Sequence, residues 1–452
     1  MKRLIVLSLL LLGQTLARSA DAQPFKAYAD GKKDATEAIQ DAIDRCSNQG
    51  GGELVLPPGT YLCGTLKMRS HVSLVLSRGA VLKGHLDYAH RYEKRAFILC
   101  EGIEDFSICG EGTIDGQSDR LDFEGGGFKN NDKVRPYIML LQDCRDFAVR
   151  DVHLVNSARW TLRIRDCEKG IVDRVTIRSL SFINNDGIDI DGRDITVSNC
   201  IINSDDDAIC LKSDNPERIV ENITITNCIV ASNSNAIKFG TASKGGFRNI
   251  SISNCVVRAN PVSPRRNIWE VYRNIEPGTL AGLSGIAIES VDGGLVEHIS
   301  ISNIAMSGIT SPIFLCLGRR HGAGILRHIL ISNVTAVTEG VLPCVIAGLP
   351  EKKIENVQLS NINIVRKSAD VRMPENPKES PTSYPEARMY GHRNPACGIY
   401  ARHVDGLHVD NFTVTVLGEG EERPVVVLDD VTGERLERFT FHGTSGPLLE
   451  RR

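Results

Sequence analysis

Two acidic clusters carry the residue types that could do chemistry in this chain. One is Asn184-Asn185-Asp186-Gly187-Ile188-Asp189-Ile190-Asp191 and the other is Asp205-Asp206-Asp207-Ala208-Ile209-Cys210-Leu211-Lys212. Asp186 and Asp206 stand 20 residues apart. Carboxyl groups crowded together cannot all ionise comfortably, so one keeps its proton and its pKa rises. A protonated acid beside ionised carboxylates suits cleavage of a glycosidic bond, where one group protonates the leaving oxygen and another activates water. Two plainer roles compete. Acidic turns can ligate Ca²⁺ through oxygen atoms, and Asp and Asn favour solvated turns in any case. Asp189 and Asp191 read as polar strand positions facing water.

The 20-residue spacing has chemical meaning only if the chain returns to one place at about that interval, and a repeat supplies this. Ile195-Thr-Val-Ser-Asn-Cys200, Ile223-Thr-Ile-Thr-Asn-Cys228 and Ile250-Ser-Ile-Ser-Asn-Cys255 are copies of one unit, which continues through Leu407-His-Val-Asp-Asn-Phe412. Its Asn recurs at 199, 227, 254, 303, 333, 361 and 411, with gaps of 28, 27, 49, 30, 28 and 50. The two large gaps predict coils that lack the Asn. Each unit alternates apolar and polar residues with period two and cannot bury its own face, but stacked copies can. Propeller blades need about 40–45 residues each, longer than this period. The expected fold is all-β, a right-handed single-stranded parallel β-helix in which the Asn side chains form a ladder. Asp206 and Asp207, as neighbours, would face opposite sides of a straight strand, so both serve one site only if the backbone bends there.

Other elements follow from pattern. Ala38, Ile39, Ala42 and Ile43 mark an amphipathic helix over 35–46, which would cap one end of the coil. The segments Asn260–Leu283 and Ser368–Ala396 break the repeat, and their Trp, Tyr, His and Arg residues suggest loops lining a cleft. Lys2, Arg3, the apolar run Leu4–Leu12 and Ala20-Asp21-Ala22 read as a signal peptide over 1–22, leaving 23–452 as one exported domain. A secreted or periplasmic location follows. Of the 13 cysteines, Cys200, Cys228 and Cys255 occupy apolar repeat positions and read as core, while Cys46 and Cys63 could pair. A net charge of −3 and the lack of a basic run give no sign of nucleic-acid binding, and no membrane span is expected. No metal or other cofactor is implied, and a monomer is expected.

The acidic motifs resemble those of family 28 glycoside hydrolases, the polygalacturonases and rhamnogalacturonases. So, in the same order, do Gly110-Glu-Gly-Thr-Ile-Asp-Gly116, Arg135-Pro136, Asn156-Ser-Ala-Arg-Trp160, and the opening pair Thr36–Ile43 and Pro57–Tyr61. The resemblance implies a right-handed β-helix and single-displacement hydrolysis with inversion. Asp206 then matches the general acid, and Asp186 with Asp207 the pair that activates water. Lys212 matches a Lys that keeps nearby carboxylates ionised, and Asn185 is a candidate for a sugar hydroxyl.

Departures qualify the substrate. Where the family carries Gly-His-Gly, this chain has Ser234-Asn-Ala-Ile-Lys238-Phe-Gly240; where it carries Arg-Ile-Lys, this chain has Gly285-Ile-Ala-Ile-Glu289-Ser290. Glu289 should repel a uronate and could accept from a neutral sugar's hydroxyls. Lys238, 26 residues beyond Lys212 in a similar strand, is a candidate binding residue. Arg319, Arg320, His321 and Arg393 read as surface residues, and Trp160 as either a sugar platform or core. The expectation is a glycoside hydrolase acting on a pectin-like or related polysaccharide. The alternatives are a Ca²⁺-dependent lyase on the same fold and a non-catalytic carbohydrate-binding β-helix.

Overall fold

The computed structural model describes residues 23–120, 133–180, 184–260, 282–367, 374–391 and 393–452. The expected leader therefore lies outside the described residues, as do 261–281 of one predicted loop and 368–373 with His392 of the other.

Among the described residues thirty strands join into one continuous sheet, and each strand pairs in parallel with its equivalent one coil away. The period-two pattern explains why. Val72–Leu76 and Ala80–Gly84 alternate strictly between buried and half-buried positions. Ile188, Ile190, Ile195, Val197, Ile202, Ile209 and Leu211 all point into the coil and are fully buried. Each such side chain contributes about 1.5–3 kcal/mol, which the ordering of its own coil largely offsets. Only stacking makes the sum favourable, and the chain is a β-helix as expected.

The Asn ladder forms on the outside of one turn. Asn333 Nδ2 donates to Asn303 Oδ1 at 3.0 Å, and Asn361 Nδ2 to Asn333 Oδ1 at 2.8 Å. Every ladder Asn is left-handed, with φ between 53° and 57°, which Asn tolerates better than other residues with a Cβ. The ladder corrects the expectation of coils without Asn. Asn303 bonds directly to Asn254 at 3.0 Å and Asn411 to Asn361 at 2.9 Å, so these residues sit on adjacent rungs. Spacing counts residues rather than rungs, and the additional residues lie within a single coil.

The helix Thr36–Asn48 buries Ile39, Ala42, Ile43 and Cys46 against the first coils, as a cap. Cys200, Cys228 and Cys255 are core residues. All 13 cysteines are free thiols, so the suggested Cys46–Cys63 pairing is not made. No helix among the described residues is long and apolar enough to cross a membrane.

One outward-facing column of side chains matters most for function. In register from coil to coil it runs Leu99, Leu140, Arg163, Asp189, Cys210, Lys238, Ala287, Phe314, Val345, Tyr400, Val427. Its far end packs in an apolar cluster with Ala387, Met389, Tyr390 and Ala396 of the second loop, and its near end with Tyr137 and Trp160. Between these clusters the column turns polar.

Candidate active site

Asp186 and Asp206 each sit at the corner that leads into a strand of this face, the first before Ile188–Ser198 and the second before Ile209–Ser213. The corner is the bend that neighbouring Asp206 and Asp207 require. The Asn184 amide donates to Asp206 Oδ2 at 2.8 Å, and the Asp207 amide to Asp206 Oδ1 at 3.0 Å. Asn185, fully buried, accepts from the Asp206 amide at 3.2 Å and donates to Ser179 O at 2.7 Å. Both ends of its amide are therefore occupied in shaping the corner. Asp186 and Asp207 approach closely, with carboxylate oxygens within 4.8 Å of each other and of Cys210 Sγ. The three acids share one wall of the coil.

Two lysines divide the carboxylates between them. Lys212 Nζ lies 3.1 Å from Asp186 Oδ2 and 3.2 Å from Asp189 Oδ1. Lys238 Nζ lies 3.1 Å from Asp207 Oδ2 and 3.6 Å from Glu289 Oε2. Register places Lys238 beside Cys210 rather than beside Lys212, so the 26-residue spacing is a diagonal relationship and each lysine serves a different pair of acids. An aromatic ring flanks each ammonium, Trp160 at 4.8 Å from Lys212 and Tyr384 at 5.4 Å from Lys238. The Tyr384 hydroxyl lies 3.3 Å from Lys238 Nζ, which puts the second loop beside the acids.

These contacts set the protonation states. Burial pushes Asp186 up to about 8, and burial with the Asp186 and Asp207 charges pushes Asp206 up to about 7. Burial opposes ionisation of Asp207 too, but Lys238, Lys212 and two hydrogen bonds from Asn235 hold it below the usual carboxylate range. Glu289, buried and accepting from Thr241 at 3.0 Å, rises to about 7.

Asp189 and Asp191 are buried, not water-facing. Asp189 completes the Lys212 bridge, and Asp191 lies 3.7 Å from a guanidinium nitrogen of buried Arg163. Period-two alternation puts them on the outer face correctly; the neighbouring chain that covers this face is invisible to a local pattern. Arg163, Asn235, Thr241 and Tyr384 were not legible as site residues. Two of them had a signal: Arg163 stands 26 residues before Asp189 in the repeat, and Tyr384 lies in the Ser368–Ala396 segment whose Tyr residues suggested a cleft lining. Trp160 is half-buried, packed against the small apolar cluster of Leu99, Tyr137 and Leu140, with its ring beside Lys212. Arg320 and His321 are held by Asp292, Arg319 by Glu351 and Arg393 by Glu375.

A Ca²⁺ ion does not fit this donor set. Asp186, Asp207 and Cys210 converge, but two ammonium groups already lie 3.1 Å from the carboxylates, and a thiol replaces one of the six to eight oxygens Ca²⁺ takes.

The model of the glycosyl hydrolases family 28 matches residues 46–381. The chain is 31% identical over 224 residues to the "Probable polygalacturonase" of Vitis vinifera, covering 44% of this chain and 45% of that one. It is 28% identical over 210 residues to Rhamnogalacturonase A of Aspergillus niger, covering 45% and 44%. The matched region thus spans less than half the length of these curated relatives. Among solved structures, the exopolygalacturonase of Thermotoga maritima superposes with a TM-score of 0.64 at 22% identity, over 77% of this chain and 87% of that one, which shows the shared fold.

Proposed function

The chain belongs to glycosyl hydrolases family 28, and on that premise we propose that it is an inverting hydrolase of a pectin-like polysaccharide. One observation carries the assignment of roles. Among the described residues, Asp186 and Asp207 each hold a lysine at 3.1 Å, while no cation lies within 4.0 Å of Asp206. Asp207, beside Lys238 and Lys212, is held ionised, whereas Asp206 has no such counter-charge and keeps its proton to about 7.

Asp206 then donates that proton to the glycosidic oxygen as the bond from the anomeric carbon breaks. Water attacks the opposite face of the anomeric carbon and gives its proton to Asp207, which its lysine keeps ionised. Asp186 Oδ1, buried and without a hydrogen-bond partner among the described residues, orients that water. Lys238 offsets the charge of Asp207, and Lys212 holds Asp186 and Asp189 in place. Trp160 and Tyr384 offer apolar faces for sugar rings on either side of the acids. Below about pH 7 Glu289 carries a proton, so it presents a hydrogen-bond donor instead of repelling a uronate.

Export through the 1–22 leader and a monomeric state belong to the same proposal, tested by N-terminal sequencing and by sizing of the exported protein. The chemistry is tested on pectic oligosaccharides, with proton NMR of the first product formed. Hydrolysis with inversion yields a saturated product whose new reducing end has the opposite anomeric configuration. An unsaturated, ultraviolet-absorbing uronate, or retention, would overturn the reading.

A further inference from the structure

We propose that Arg163 is a positioning residue for the reaction, acting through Asp189 and Lys212 on the acids that do the chemistry. The inference rests on the hydrolase reading above. Arg163 is fully buried on the outer face of the strand Leu162–Asp173, a costly place for a guanidinium unless acids surround it. It stands directly across from Asp189 in register. It also lies 3.7 Å from Asp191, donates to Asp214, and its guanidinium is 5.3 Å from the Trp160 ring. Tyr137 lies on the same side, and Leu140 is its neighbour on the preceding coil.

Asp189 thus pairs with Lys212 at 3.2 Å and also lies in the field of Arg163, which stands across from it in register without a direct ion pair, and Lys212 is in turn shared with Asp186. Were Arg163 neutral, Asp189 would depend on Lys212 alone and draw its ammonium away from Asp186. The groups facing Asp186 are Lys212, Asp189, Asp207, Asp206 and Cys210. Each acid among them would then keep its proton to higher pH, since a nearby cation has been lost. Arg163 touches none of the three reacting acids, so its effect is transmitted.

The test compares wild type, Arg163→Met, Asp189→Asn and the double variant, by kcat, KM and the pH profile of kcat/KM on an oligosaccharide the wild type cleaves. Arg163→Met should lower kcat at least about tenfold with KM within about twofold, and move the limbs of the profile up by about half to one pH unit. Arg163→Lys, which keeps the charge, should leave the limbs in place. In the Asp189→Asn background, removing Arg163 should change kcat and the limbs little, because the route through Asp189 is already cut. This last comparison stands even if Arg163→Met alone does not fold. A superimposable profile for Arg163→Met, or an undiminished effect of Arg163 in the Asp189→Asn background, overturns the proposal. An inactive wild type would instead overturn the hydrolase reading.

Discussion

Lys238 Nζ lies 3.1 Å from Asp207 Oδ2, with both side chains buried, and the same ammonium is 3.6 Å from Glu289. A single lysine is therefore shared between the proposed base and its neighbour. Lys238→Met would leave buried Glu289 without its cation and Asp207 with Lys212 alone, and removing one partner of a buried pair costs about 3–5 kcal/mol. Melting temperature should fall most at neutral pH and less near pH 5, where the orphaned acid can protonate. Activity on a cleaved oligosaccharide should drop by about 100-fold.

The pH dependence of kcat/KM should reflect the same asymmetry. Asp206 must hold its proton, so the rate should decline as pH rises through about 7. Asp207 must be ionised, and its pKa lies below the ordinary value of 3.8, so no acidic limb is expected until pH falls below that value. Asp186 keeps its proton to about 8 and serves as an orienting group rather than the base. A steep loss of activity from pH 6 to pH 5 would contradict the assignment.

Folding stability should vary in the opposite sense to that of most carboxylate-rich surfaces. Asp206 and Glu289 both have folded pKa values raised to about 7. A raised acid stabilises the fold below its unfolded pKa, and that stability is lost as pH rises through the folded value. Thermal melts should thus show a falling melting temperature from pH 5 to pH 8, and Glu289→Gln should flatten the slope. An unchanged slope in that variant would show that Glu289 is ionised throughout.

The Asn ladder offers a test of the scaffold alone. Asn333 joins two rungs, accepting from Asn361 and donating to Asn303, at a φ of 54°. Asn333→Ala loses both bonds and keeps the left-handed backbone, a cost of about 2–3 kcal/mol. Asn333→Gly, free of the Cβ, should melt at a higher temperature than the Ala variant.

Local alternation carried the fold. Period-two residues such as Ile195 and Val197, with an Asn at each turn, predict a stacked coil because no single unit can bury its own face. The three acids were legible for the same reason, since one coil returns Asp186 to the neighbourhood of Asp206. Partnership was not legible. Arg163, Asp189 and Asp191 look like exposed strand positions until the chain that covers them is placed, and Lys238 pairs with Asp207 because of a two-residue offset in register that spacing hides. The ladder gaps misled for a related reason: Asn254 and Asn303 are far apart in sequence yet hydrogen-bonded.

The decisive measurement is the rate at which Asp206→Asn releases reducing ends from a pectic oligosaccharide that the wild type cleaves. Loss of the proton donor should lower that rate by about 10²–10⁴-fold, while the melting temperature falls only by the loss of one of the two backbone amide hydrogen bonds that Asp206 accepts. Equal rates for the two proteins would show that some other group protonates the leaving oxygen.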